Sequence, residues 1–263
     1  MTLVAFASAK GSPGVSSAVR RMAELWGGDP IVADLDPAGG DTVLVERDEA
    51  GELLDADTGL VSLGAALRGG KPTDLLGHVQ RTDGGLQVLA GVSTPVQVHA
   101  IGPVWSHVAD ALKGSRDDVL ADVGRFEVGS AVQPVLEAAD AVVFIARDDL
   151  PSLAHLRDRL HGLREALSIG RLGGTPVGVA LVGDPRSSRS MPDTVRLLAS
   201  SGIDVVGLGV IADDPRTVAG WHRASERARS RSVYLRSLVD VTARIRELVT
   251  TAAVETAVPG EAV

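Results

Sequence analysis

The sequence LVAFASAKGSPGVSS, residues 3–17, decides the fold class of this chain. Residues 3–7 are apolar throughout, which predicts a strand that is covered on both faces. A turn with glycines at positions 11 and 14 follows, and residues 17–26 have the spacing of an amphipathic helix. Because parallel α/β sheets bind ligands beyond the carboxyl ends of their strands, this first strand–helix turn is the predicted ligand site.

The rest of the chain repeats this alternation of short apolar runs and helical stretches. Further strands are predicted at residues 31–33, 86–90, 119–121, 141–145, 177–182 and 205–211. Further helices are predicted at residues 60–67, 104–112, 151–167 and 233–249. The pattern is typical of an α/β fold, and we expect a three-layer, doubly wound, mostly parallel sheet of about seven strands.

The same pattern sets the domain organisation that we expect. One domain covers residues 1–250, because no linker is long enough to divide it. The acidic stretch DEAGELLDAD, residues 48–57, is a surface loop. Residues 251–263 are small and contain Pro and Gly, which predicts a disordered tail.

Composition excludes several classes of protein. The 263-residue chain has 44% hydrophobic and 23% charged residues, as in an ordinary globular protein, and no cysteine, which rules out disulfides, zinc–thiolate sites and thiol catalysis. Its formal net charge of −8 argues against nucleic acid or anionic lipid as a partner of the whole surface. The six histidines lack metal-ligand spacing, and no G-x-S-x-G elbow occurs. We expect a cytoplasmic protein, since neither a secretory leader nor a run of about 18 apolar residues is found.

The turn after the first strand has the chemistry of an anion site. Gly11 and Gly14 let backbone N–H groups point inward, and the N-terminus of the next helix adds its dipole. Ser16 or Ser17 would cap that helix. The standard phosphate-binding pattern G-x-x-x-x-G-K-[ST] is broken by an alanine at position 9 and a valine at position 15. A glycine-rich turn into a capped helix, without a ligand, is the alternative reading.

The turn resembles the deviant Walker A motif of the ParA/MinD family of P-loop ATPases, K-G-G-x-G-K-[ST]-[ST]. Lys10 matches the family's early lysine, which implies a catalytic contact with the nucleotide of a partner subunit. Val15 replaces the second, phosphate-gripping lysine, and Ser12 replaces a glycine. The resemblance implies an ATP or ADP site that is lined by the whole turn: Gly11, Ser12, Pro13, Gly14, Val15, Ser16 and Ser17.

Two acidic segments resemble the same family in order along the chain. Residues 34–41, DLDPAGGD, resemble its D-x-D-P-x-x-G segment, which implies that Asp36 orients the attacking water near magnesium. Residues 118–125 resemble its Walker B segment, which implies that Asp122 holds a magnesium-bound water and that the Gly124 N–H senses a γ-phosphate. The implied Mg²⁺ site is Ser16, Asp36 and Asp122. For residues 34–36 alone, a turn capped by aspartates is the alternative.

A last segment, residues 209–215, resembles the loop that flanks the base in this family, which implies base contacts from Asp214 and Pro215. Val15 cannot supply the charge of the missing lysine. Charge-assisted contacts of this kind are worth roughly 1.5–3 kcal/mol, so we expect nucleotide affinity to fall about ten- to a hundredfold. Whether the chain is an ATPase is left open, because phosphoryl transfer depends on positioning and electrostatic stabilisation.

By this resemblance the chain is expected to be a nucleotide-binding spatial or assembly regulator that forms a homodimer, with weak or absent ATP hydrolysis. The implied roles are pilus or secretion-system localisation, or septum-site regulation, through a protein partner that recruits the chain to a membrane or cell pole. One alternative is a non-catalytic interaction scaffold that does not bind nucleotide.

A third reading is a chromosome or plasmid partition ATPase that holds DNA non-specifically through Arg223, Arg227, Arg229 and Arg231. For these arginines a solvated helix face is the alternative. The final predicted helix is expected to cover the sheet rather than to anchor in a membrane, because the tail after it is acidic.

Overall fold

The computed structural model describes residues 1–11, 13–70 and 73–257. Over these residues the chain forms one eight-stranded sheet with the order β3-β4-β2-β5-β1-β6-β7-β8. The strands are β1 Leu3–Ser8, β2 Ile31–Asp34, β3 Gln80–Arg81, β4 Gln87–Leu89, β5 Val119–Arg125, β6 Ala141–Arg147, β7 Val177–Gly183 and β8 Val206–Ala212. Neighbouring strands are parallel except β3 and β4, which are antiparallel.

Helices connect the strands and cover both faces of the sheet. They are α1 Val15–Trp26, α2 Thr42–Val45, α3 Leu60–Arg68, α4 Pro95–Ile101, α5 Trp105–Lys113, α6 Gln133–Ala138, α7 Leu150–Leu163, α8 Ser190–Ser200, α9 Pro215–Ala219, α10 Glu226–Arg231 and α11 Val233–Ala257. Short 3₁₀ turns lie at Leu75–His78, Gly102–Val104 and Trp221–Arg223.

The sheet is covered on both sides because its strands are apolar on both sides. Along β1, Leu3 and Ala5 belong to the core layer that is packed with α3–α8, whereas Val4 and Phe6 belong to the layer packed with α1 and α11. All four side chains are almost completely buried. This three-layer, mostly parallel arrangement confirms the predicted fold class, with eight strands instead of about seven.

The sequence analysis missed β3 and misplaced some ends. β3 is a two-residue strand of polar side chains, which leaves no apolar run to detect. β5 continues to Arg125, so Asp122 lies inside this strand rather than at its end. The helix predicted at residues 151–167 ends at Leu163.

The final helix, α11, packs against β8 and α1, as expected for a helix that covers the sheet. Leu238, Val241 and Ile245 are its most buried apolar side chains. The helix runs to Ala257, so residues 251–257, which we expected in a disordered tail, are helical; residues 258–263 lie outside the described part of the chain. Within that described part, no helix is both long and apolar enough to cross a bilayer.

Both edges of the sheet are protected. At the β8 edge, Arg244 of α11 donates to the Leu208 carbonyl at 3.1 Å, and the Ala212 N–H donates to the Ser237 hydroxyl at 2.9 Å. The opposite edge strand is β3, which has only two residues. Short strands and side chains that occupy backbone groups are common means of preventing edge-to-edge pairing.

Candidate functional site

The glycine turn, residues 9–17, joins β1 to α1 at the carboxyl end of the central strand. Gly11 and Gly14 have φ values of +70° and +91°, in the left-handed region that side-chain-bearing residues rarely adopt. Gly14 is the N-cap of α1, and no described side chain caps this helix. The prediction that Ser16 or Ser17 is the cap is therefore wrong, because α1 already begins at Val15. Among the described residues, no side chain accepts from the first N–H groups of α1, which is the arrangement that binds anions.

Val15 and Lys10 are the positions of the turn where a positive charge would face a bound anion. Val15, at the lysine position, is 5% exposed and packs in the core layer with α11, so an apolar side chain fills that position. Lys10 is exposed at the other end of the turn. The pKa of the Asp149 carboxyl is lowered mainly by a hydrogen bond from the Ser152 N–H, and the nearby charge of Lys10 adds to this effect. Ser12 lies outside the described residues.

Two buried aspartates lie side by side next to this turn. Asp34 of β2 and Asp122 of β5 are directly paired in the sheet register, and they are 4% and 2% exposed. The Thr42 hydroxyl donates to Asp34 Oδ2 at 2.5 Å, and the Thr42 N–H donates to the same oxygen at 3.3 Å. Asp34 therefore closes the segment between β2 and α2, which we call the acidic turn, residues 34–42.

Asp122 links the acidic turn to α1. Its carboxylate accepts the Gly124 N–H at 2.9 Å, and the nearby Ser16 hydroxyl stabilises its charged form. Burial raises the pKa of Asp122 to about 7, and the neighbouring Asp34 carboxylate adds to the rise, whereas the Ser16 hydroxyl and the Gly124 N–H oppose it. A carboxyl that is difficult to ionise beside a second buried acid is an environment that a cation would stabilise.

Asp36 lies against Gly124. A Cβ atom at Gly124 would be 2.1 Å from Asp36 Oδ2, and Gly124 has a φ of +55°, so only glycine fits there. Asp36 Oδ1 accepts the Ala38 N–H at 2.8 Å. Burial raises the pKa of Asp36, the Ala38 hydrogen bond lowers it, and the charge of Asp34 raises it further. The Gly124 N–H is taken by Asp122, so a phosphate contact by that N–H requires this hydrogen bond to break.

The predicted magnesium ligands come together, but they do not form a complete protein site. Within the described ranges, no group of three or more His, Asp or Glu side chains could hold a metal ion alone. Mg²⁺ usually keeps several waters and binds one or two carboxylates together with substrate phosphates. The Ser16 hydroxyl beside Asp122, with Asp36 nearby, fits this partial type of site.

On the other side of Gly14 the structure has a cavity of about 160 Å³. It is lined by the residues Pro13, Gly14, Ser17, Ala18, Arg147, Val182, Ile211, Asp213, Asp214, Pro215, Val218 and Tyr234, and we call it the Tyr234 cavity. Complete ligand pockets measure roughly 300–1,000 Å³, so this volume suits one flat group rather than a whole nucleotide.

Both aspartates at this cavity are already engaged. The Asp213 carboxylate pairs with Arg147 at 3.2 Å. Asp214 caps α9, where it accepts the Thr217 N–H at 3.0 Å and the Thr217 hydroxyl at 2.6 Å, and these bonds lower the pKa of Asp214. Asp214 and Pro215 line the cavity, and the Asp214 side chain supports the loop; their contact with a base stays a prediction.

The predicted DNA-contact arginines do not form one exposed set. The Arg229 guanidinium lies 5.5 Å from the centre of the Trp221 ring, and its Nε donates to the Ala224 carbonyl at 3.0 Å. The interpretation of Arg229 as a free surface arginine is therefore wrong. Arg223, Arg227 and Arg231 are exposed.

Sequence reasoning missed several residues that shape this region. Thr42 had no recognisable role before its hydrogen bonds to Asp34 were seen. Tyr234 and Arg147 line the cavity from α11 and β6, far from any glycine turn in the sequence. None of the three residues has a local sequence signal that indicates its place in this region.

Comparisons with known proteins are informative at the level of fold. No family model and no curated protein matches the chain. A ParA family ATPase from Chlorobium tepidum TLS has a TM-score of 0.68 and 16% identity, over 93% of this chain and 98% of that one. The septum site-determining protein MinD complexed with Mg-ADP, from Pyrococcus horikoshii OT3, has a TM-score of 0.67 and 17% identity, over 98% and 99%. A chain of the MinC:MinD cell division protein complex from Aquifex aeolicus has a TM-score of 0.66 and 17% identity, over 94% of this chain and 96% of that one. Together with the sheet order and the glycine turn, these matches show that the chain has the P-loop NTPase fold of the ParA and MinD ATPases.

Proposed function

We propose that this chain binds an adenine nucleotide together with Mg²⁺ at the glycine turn and acts as a nucleotide-dependent regulator of position or assembly. The observation that carries the proposal is that α1, which no described side chain caps, begins beside the buried Asp122 carboxyl, while Gly14 and Ser17 at the same helix end line the Tyr234 cavity. Phosphates would lie on the helix N-terminus, and the base would lie in the cavity.

The residues suggest a division of roles around the nucleotide. The N–H groups of Gly11 and of residues 14–17 would hold the phosphates, and Val182, Ile211 and Val218 would pack against the base. Ser16 and Asp122 would hold the magnesium ion and its water, and Mg²⁺ would neutralise phosphate charge. Asp36, which is half-buried beside Gly124, would orient a water molecule toward the terminal phosphate.

Hydrolysis in this proposal is slow or absent. The buried Val15 side chain brings no charge to the phosphates, and Lys10 lies exposed at the other end of the turn, where it would reach the nucleotide of a second subunit. A site that binds without rapid turnover suits a switch, in which the bound nucleotide favours a homodimer. The known fold relatives support this class of role: the Aquifex protein is part of a cell division complex, and the Pyrococcus protein is a septum site-determining protein.

We propose pilus, secretion-system or septum localisation, through a protein partner at a membrane or cell pole, as the branch of this function. The second candidate is an interaction scaffold that does not bind nucleotide. The observation in its favour is that Val15 is buried and the Gly124 N–H is bonded to Asp122, so two of the phosphate contacts implied by the resemblance are missing in this state.

Isothermal titration of the folded protein with Mg·ADP and Mg·ATP tests the proposal. We expect binding in the micromolar to millimolar range that weakens when Mg²⁺ is removed. Ser16→Ala should abolish the dependence on Mg²⁺, whereas Ser17→Ala, a matched change one residue away, should retain it. No binding at millimolar nucleotide would reject nucleotide binding and favour the scaffold.

A further inference from the structure

A partly buried cluster of charged and aromatic side chains extends from α1. We call it the Arg21 cluster; it contains Arg21, Glu24, Glu46, Trp221 and Arg229. Arg21 and Glu46 are only 7% and 3% exposed. Charged side chains are rarely buried to this extent unless they are paired, so the cluster has a structural reason.

The central pair of this cluster is held loosely. Arg21 Nη2 lies 3.5 Å from Glu46 Oε1, and Arg20 Nε lies 3.8 Å from the same oxygen, whereas Arg21 Nη1 donates to Glu24. Glu46 Oε1 has no hydrogen-bond partner within the described residues. An unsatisfied buried oxygen is costly, so the geometry of this pair is not the one that stability alone would favour.

On one side, the cluster contacts the wall of the Tyr234 cavity. The Arg21 guanidinium lies 5.1 Å from the centre of the Trp221 ring. The Trp221 and Tyr234 rings meet edge to face, with their centres 6.1 Å apart. Tyr234 in turn lines the cavity in which we place the base. Cation–aromatic and aromatic–aromatic contacts of this geometry have preferred orientations, so they fix the rings relative to α1.

On the other side, the cluster contacts the acidic turn. Glu46 follows α2 directly, and its N–H donates to the Thr42 carbonyl at 2.9 Å. Thr42 is the residue that holds Asp34, at the base of the turn that carries Asp36. The segment between Asp34 and Glu46 is therefore fixed at one end by β2 and at the other end by Arg21.

We propose that Arg21 and Glu46 are positioning residues that connect the Tyr234 cavity to the acidic turn, so that the placement of Asp36 depends on whether the cavity is occupied. The proposal rests on the proposed function. The glycine turn is one connection between the Tyr234 cavity and the acidic turn. The Arg21–Glu46 pair is a second connection, which runs through α1. A ligand with a base should order the acidic turn more than the same phosphates without a base.

Hydrogen–deuterium exchange of residues 42–46 tests this connection. Exchange in the wild-type protein is measured without ligand, at saturating Mg·ADP and at saturating magnesium pyrophosphate, which has phosphates but no base. We expect Mg·ADP to slow exchange at least about fivefold more than pyrophosphate does. In the double variant R21M/E46L, which replaces the ion pair with apolar side chains, this difference should disappear while both ligands still bind.

Arg229→Met is the matched control, because it removes a guanidinium from the same Trp221 ring without touching Glu46, and it should retain the wild-type difference. Arg21→Lys keeps the buried positive charge but loses the stacking of the guanidinium on Trp221. It should reduce the difference in exchange between Mg·ADP and pyrophosphate. A full wild-type difference in R21M/E46L or in Arg21→Lys would overturn the proposal and leave nucleotide binding standing. If wild type binds neither ligand, the proposed function fails and this inference fails with it.

Discussion

Asp122 of β5 lies directly beside Asp34 of β2, and both carboxyl groups are buried under the glycine turn. Two acids in this position repel each other when both are ionised, and burial makes each charge more costly. The protein retains a pair that destabilises its ligand-free state. A cation or a proton shared by the two carboxyl groups would remove this repulsion.

The first prediction concerns this pair in protein kept free of metal by EDTA. The folded pKa of Asp122 is about 7, above its ordinary value of 3.8. Between these values the folded state binds a proton that the unfolded state does not, so the free energy of unfolding falls as pH rises. Below pH 3.8 and above pH 7, Asp122 does not contribute to the change of the free energy of unfolding with pH.

Asp122→Asn cannot ionise, so we expect it to be more stable than wild type at pH 8 and to lose this advantage toward pH 4. Thermal unfolding across this range measures the effect. Asp110→Asn, at an exposed position of α5, is the control and should follow wild type. An Asp122→Asn variant that is less stable than wild type at pH 8 would contradict the prediction.

The second prediction concerns the hydroxyl that holds Asp34. Thr42→Val keeps the shape of the side chain but leaves a buried carboxylate without its 2.5 Å donor, so we expect a loss of about 1–3 kcal/mol in the free energy of unfolding. Urea denaturation measures the loss. Thr42→Ser keeps the hydroxyl and should lose less; equal stability of the Val variant and wild type would show that the hydrogen bond contributes nothing.

The third prediction restores the missing charge. Val15→Lys should raise affinity for Mg·ATP about ten- to a hundredfold, because a lysine at the start of α1 can extend toward phosphates on the helix N-terminus. Titration calorimetry measures the gain, and phosphate release shows whether turnover follows. Val15→Met, which has similar length and no charge, should show no gain. If lysine gives no gain either, the remaining contacts do not form a phosphate site.

The fourth prediction concerns Lys10. If it contacts the nucleotide of a second subunit, Mg·ATP should double the mass of the wild-type protein in light scattering, and Lys10→Ala should remain monomeric. Lys113→Ala, which removes a lysine from α5 on the Asp140 ion pair, is the control and should dimerise. A Lys10→Ala variant that dimerises like wild type would exclude the contact across subunits.

The fifth prediction separates the arginines of the 221–231 region. If DNA binds there, changing Arg223, Arg227 and Arg231 together to Ala should remove binding at low salt and flatten its salt dependence, since these side chains are exposed. Arg229→Ala should instead lower stability through loss of its contact with Trp221. Electrophoretic mobility shifts between low and physiological salt measure the first effect. Wild type that binds no DNA at low salt would remove this role.

The sequence was sufficient for most of the fold and for part of the site. Apolar runs such as residues 141–145 indicate strands of a sheet that is covered on both faces, and the order of the glycine turn and the acidic segments led to the candidate site, which stays a prediction. β3 was missed because Gln80 and Arg81 carry no apolar signal. The cap of α1 was wrong because Gly14 has a backbone conformation that a sequence does not show.

Other parts of the site depend on tertiary contacts that no local pattern records. The role of Thr42 becomes visible only when Asp34 is placed next to it. Arg229 belonged to an apparently uniform basic stretch until the Trp221 ring was found beneath its guanidinium. Tyr234 reaches the cavity from the final helix, over 200 residues away from the glycine turn.

The protection of the sheet edges restricts how copies of this chain can associate. A second molecule that added its own strand to β8 would first have to displace Arg244 from Leu208 and Ser237 from Ala212. At the far end, the two residues of β3 offer almost no backbone for pairing. Growth into extended filaments by strand addition is therefore disfavoured, and the homodimer that we propose would have to form through another surface.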